Sequence, residues 1–141
     1  MSKLLQRLND AAKSGVYRAP RADEILDATS GSALRVTRID LAGVTGKKAL
    51  LERISGACQF PDWFGRNWDA LEDCLTDLSW AGAPGHVLLI GGAAELPDDE
   101  RGILTDILAS AAGSWAERKR PFFAVFLDGA PALPELFKSG K

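Results

Sequence analysis

The residues best suited to chemistry are Asp69, Glu72, Asp73 and Thr76, which follow an aromatic loop, Phe60-Pro61-Asp62-Trp63-Phe64-Gly65-Arg66. In a helix, at roughly 100° per residue, these four fall on one arc and Trp68, Leu71, Leu75 and Leu78 fall on the other. One side is then core, and the other is a patch of negative charge. Asp69 and Asp73 are like charges at i,i+4, a spacing that costs a helix roughly 0.2–0.5 kcal/mol. A patch that carries such a penalty points to a positively charged partner. The helix dipole accounts for Asp69, because a carboxylate in the first turn complements the positive end. It does not account for Asp73, a turn and a half in.

Two carboxylates one turn apart could also hold Mg²⁺ or act as acid and base. Against that, no histidine lies nearby and no Gly-x-x-x-x-Gly-Lys phosphate loop exists. Gly91-Gly92 follows a strand-like run but lacks the third glycine of a dinucleotide fingerprint. Asn67 is a good N-cap, and of the adjacent loop aromatics Trp63 and Phe64 one is expected to show a face. Trp68, Leu71, Leu75, Trp80 and Trp115 read as core. His86 opens an apolar run and reads as structural, and Cys74 falls on the helix flank between core and surface.

The elements that must position this patch are legible from periodicity. Leu34–Leu41 alternates apolar and polar residues and predicts a strand. A helix is expected from about Lys47 to Cys58, burying Ala49, Leu50, Ile54 and Ala57. Pro61 stops it, and Asn67 starts the next helix, which runs to about Leu78. His86-Val87-Leu88-Leu89-Ile90 and Phe122-Phe123-Ala124-Val125-Phe126-Leu127 are continuous apolar runs, the pattern of strands covered on both faces. Between them, Pro97-Asp98-Asp99-Glu100 marks a helix start, and Arg118-Lys119-Arg120 marks its end. That helix is expected to turn Ile103, Leu104, Ile107, Leu108, Ala111 and Trp115 inward. The order β-α-α-β-α-β implies an α/β fold, a three-stranded parallel sheet flanked by helices. Residues 1–32 read as an N-terminal extension, 33–128 as the domain and 129–141 as a C-terminal tail.

Composition excludes several classes. The chain has 141 residues, 46% hydrophobic and 26% charged, ordinary for one folded domain. A net charge of −2 argues against direct nucleic-acid binding. From Asp62 to Asp77 there are five acids and one base, Arg66. Two cysteines and one histidine are too few for a disulfide framework or a zinc site. The first ten residues break into charge too early for a signal peptide, and no apolar run reaches the ~18 residues of a membrane span. A cytoplasmic location with free thiols is expected.

The run Pro61-Asp62-Trp63-Phe64-Gly65-Arg66-Asn67-Trp68-Asp69-Ala70-Leu71-Glu72-Asp73-Cys74-Leu75-Thr76 resembles the signature of the barstar family, small intracellular inhibitors of secreted bacterial ribonucleases. The resemblance implies a barstar-like fold and a loop and helix that insert into a nuclease's cationic active site. It implies that Trp63 is a contact aromatic and that Gly65 and Asn67 shape the loop. Asp69 and Asp73 match the family's two principal acidic contacts and Thr76 a flanking one, with Asp73 in the place of a substrate phosphate. The sequence departs from the family's type member at Glu72, where that protein has an aromatic contact, and at Arg66, where it has an acid. The resulting expectation is a non-enzymatic inhibitor or immunity protein, monomeric when free and needing no cofactor. Its partner would be a basic ribonuclease or another toxin with a cationic cleft. A regulatory or scaffold module for some other basic protein is the alternative, and an Mg²⁺-dependent enzyme using Asp69 and Asp73 is a third.

Overall fold

A computed structural model describes residues 3–61, 67–78 and 82–137. Among them the helices are α1 (Lys3–Leu8), α2 (Asp23–Thr29), α3 (Lys47–Cys58), α4 (Trp68–Asp77) and α5 (Asp98–Glu117). The strands are β1 (Gly15–Arg18), β2 (Arg35–Asp40), β3 (His86–Gly91) and β4 (Phe122–Phe126). The sheet is parallel throughout, in the order β1-β4-β3-β2. It has four strands, not the three expected. The additional one comes from the N-terminal segment, where Val16 and Tyr17 favour extended backbone but only four residues pair, too few to show a period.

The two central strands are the continuous apolar runs, as burial on both faces requires. All five residues of β4 are buried, and so are five of six in β3. Leu88, Ile90, Phe122, Ala124 and Phe126 face a layer made by α3, α4 and α5. Val87, Leu89, Phe123 and Val125 face a second layer that holds Leu8, Ile25 and Leu136. The chirality of parallel crossovers explains the division. The path β2→β3→β4 steps one way across the sheet with its helices on one face, so the return from β1 to β2 must carry α2 on the other. Leu8, Ile25 and Leu136 are at most 2% exposed, and burying such a side chain contributes about 1.5–3 kcal/mol each.

The tail docks up to Phe137. Pro134 carbonyl accepts the Arg18 amide at 2.9 Å, and the Leu136 amide returns to the Arg18 carbonyl at 2.9 Å. Arg18 Nε also donates to the Leu133 carbonyl at 2.7 Å.

Two helical stripes differ from expectation. α3 buries Leu50, Leu51, Ile54 and Cys58, while Ala49 is exposed and Ala57 half-buried. In α5 the stripe is Leu104, Ile107, Leu108, Ala111, Ala112 and Trp115, and Ile103 is 38% exposed.

Each of the three longer helices ends on a non-glycine residue of positive φ: Gln59 at 57°, Leu78 at 45° and Lys119 at 61°. At the end of α5 the Arg120 amide reaches the Trp115 carbonyl at 3.0 Å and the Lys119 amide reaches that of Ala116 at 2.9 Å. These are the paired bonds of a Schellman turn, which satisfy carbonyls the helix leaves open.

Candidate functional site

α4 starts because Asn67, with extended backbone, accepts the Ala70 amide on Oδ1 at 2.7 Å. Its inner stripe, Leu71, Cys74 and Leu75, is fully buried in the core cluster that α4 shares with α5. Trp115 Nε1 donates to the Leu75 carbonyl at 2.9 Å inside that contact, which fixes how α4 is turned. Trp68, expected in the core, is half-buried, with Lys47 Nζ 5.7 Å from its ring centroid.

With the inner stripe seated, Asp69 and Asp73 point outward and are exposed. They stand one turn apart, about 6 Å along the axis. Among the described residues neither carboxylate is in an ion pair. Asp77, exposed one further turn along, extends the row, a member that the sequence reading left out of the patch. Glu72 is different: it is half-buried, and its Oε2 accepts the Ser110 hydroxyl from α5 at 2.6 Å. Thr76 is half-buried, and its carbonyl accepts the Arg118 guanidinium, which lies 4.4 Å over the Trp115 ring. Ser110 and Arg118 had no place in the sequence reading of the site.

Trp63, Phe64 and Gly65 lie outside the described residues, as do Arg66 and Trp80. The structure thus brings Asn67, Asp69, Glu72, Asp73 and Thr76 onto one helix. It faces them away from the layer that holds α1 and α2.

The remaining reactive groups are buried. Cys74 is not at the flank but fully buried, because α4 packs against α5 on one side and brings Cys74 to Cys58 of α3 on another, and so hides a wide arc. Burial first, then the Asp73 and Asp77 charges, push its thiol up to about 11. Burial pushes Cys58 up to about 12. Both remain protonated and unreactive at neutral pH. His86, 1% exposed, is lowered to about 4 by burial and then by the Arg35 charge, so it is neutral. Among the described residues, no three His, Cys, Asp or Glu side chains are grouped to hold a metal ion. Nor is any helix among them long and apolar enough to cross a membrane.

A parallel α/β sheet with its candidate site on the outer face of one helix defines a small α/β protein. The family model for Barstar (barnase inhibitor) matches residues 34–127, and the chain belongs to that family. β1, α1, α2 and the tail beyond Leu127 fall outside the matched range. No curated protein matches the chain. The family is one of inhibitors and not of catalysts, and its members bind ribonucleases such as barnase. Membership suggests a ribonuclease-inhibitor or immunity role in general.

Proposed function

We propose that this protein is a cytoplasmic, non-enzymatic inhibitor that blocks a basic ribonuclease by covering its active site with α4 and the loop before it. The observation that carries the reading is the exposed row Asp69 and Asp73, unpaired among the described residues and placed within the family match. A row of carboxylates stands in for the phosphates of an RNA strand and pairs with the nuclease's arginines and lysines. In this reading Asp73 is the central anchor. Asp69, Glu72, Asn67 and Thr76 surround it, and Trp63, Phe64 and Gly65 supply the loop contact. Glu72, held by Ser110, offers its second oxygen to the partner. The protein acts as a monomer until it meets the nuclease, and needs no cofactor.

The test is capture of basic secreted ribonucleases by the purified protein, followed by an RNA-cleavage assay with wild type and Asp73→Ala. Asp73→Ala should weaken inhibition by well over tenfold while the melting temperature stays the same or rises slightly, since a like-charge neighbour is removed. Equal inhibition by both forms rejects Asp73 as the anchor. Full RNA cleavage in the presence of the wild-type complex would reject inhibition and leave a scaffold for a basic protein.

A further inference from the structure

The acidic row on α4 does not continue unchanged around its C-terminal end. Arg118 is exposed, yet its guanidinium is placed by two contacts, the Trp115 ring at 4.4 Å and the Thr76 carbonyl. A cation over an indole face is attracted by its quadrupole, and a cation at a helix C-terminus is favoured by the dipole. Arg120 follows it through the Schellman turn, so its backbone is also fixed. Arg118 and Arg120 line one cleft of about 420 Å³ together with Asp77 and Leu78 at the end of α4. Among the described residues, none of Arg118, Lys119 and Arg120 is in an ion pair. Asp77, which lines the same cleft, and Glu117, the preceding residue in the chain, leave the cluster one positive charge in excess. Thr76, to which Arg118 is bound, lies only about 4.5 Å along the helix axis from Asp73.

We infer that the binding face is two-signed, and that its partner is a basic ribonuclease with a carboxylate at the rim of its cationic cleft, opposite Arg118 and Arg120. This rests on the inhibitor reading above and specifies its partner. A nuclease with a basic rim at that point would meet like charge and be rejected, so the cations set selectivity where the aspartates set attraction. The fixed position of the Arg118 guanidinium supports the assignment. A charge whose position is already fixed loses little freedom on docking, unlike a lysine on an open surface.

The sign of one substitution separates this from a uniformly acidic face. Arg120→Glu makes the protein more acidic by two charges. Toward a basic nuclease, a simple acidic patch would then associate faster. The two-signed face predicts the opposite: association with the captured nuclease slowed and affinity lowered at least tenfold, with Arg120→Ala in between. The measurement is association and dissociation by surface resonance at two salt concentrations, with Asp73→Ala in parallel and melting curves to confirm folding. Unchanged or tighter binding by Arg120→Glu, with Asp73→Ala still weakened, overturns the two-signed face and leaves the inhibitor reading standing. No loss from Asp73→Ala, or no ribonuclease captured, overturns both.

Discussion

Protonation of His86 sets an acid limit on the stability of this fold. The side chain is 1% exposed, its ring meets Trp115 edge-on at 5.0 Å, and among the described residues Nε2 has no hydrogen-bond partner. Folding lowers its pKa from 6.5 to about 4, first through burial and then through the Arg35 charge. Between those values the unfolded chain holds the proton and the folded chain does not. Stability is therefore complete above pH 6.5, falls as pH drops through that window, and loses nothing further from this group below 4. A gap of about 2.5 pH units at about 1.4 kcal/mol each gives a loss on the order of 3 kcal/mol. Many carboxylates titrate in the same range, so the comparison must be between two proteins. His86→Phe keeps an aromatic ring beside Trp115 and Phe122 and removes both the titration and the unpaired nitrogen. Urea unfolding of both proteins at about pH 7.5 and about pH 4.5 gives the four free energies needed. Wild type should lose on the order of 2–3 kcal/mol more than His86→Phe over that span. Parallel losses would refute the claim that His86 is held neutral by its surroundings.

Three backbone substitutions at positive-φ positions have expected effects of both signs. Lys119 holds φ at 61° in the turn that closes α5, a conformation that costs an L-residue roughly 1–2 kcal/mol and glycine little. Lys119→Gly should raise stability by up to about 1 kcal/mol in thermal melts, and a fall would show that the lysine side chain contributes packing there. Gly92 has φ of 80°, and a Cβ on it would lie 2.3 Å from the Ala42 amide nitrogen. Gly92→Ala should cost about 2–4 kcal/mol by denaturant unfolding. Gly31→Ala, also at positive φ (79°) but in open space, should cost only about 1 kcal/mol. Equal losses at the two sites would show that the Ala42 backbone yields.

The strands β2, β3 and β4 and the three long helices could be read from the chain because their periods are local. Phe122–Phe126 is apolar at every position because helices lie on both sides, and that shows without any knowledge of the helices. Exact stripes were less legible. In α3 both Ala49 and Leu51 fit an amphipathic pattern, and the larger side chain is the one buried, since burial scales with apolar area. Cys74 looked marginal on a wheel drawn for one contact surface, whereas α4 has two. For the candidate site, Asp69 and Asp73 were visible as an unfavourable spacing of like charges. Ser110 and Arg118 were not visible, because they reach Glu72 and Thr76 across 38 and 42 residues of sequence. No local pattern records a contact of that kind.

The edge strand imposes an order on folding. Gly15 pairs with Phe123, and Ser14 Oγ accepts the Phe122 amide, a separation of 108 residues. Pairings so distant form slowly, because closure of a long loop precedes any gain from the contact. β1 therefore has no partner strand until β4, 108 residues further along, has been made. The apolar cluster that Leu8 and Ile25 share with Phe123 and Val125 likewise waits for β4.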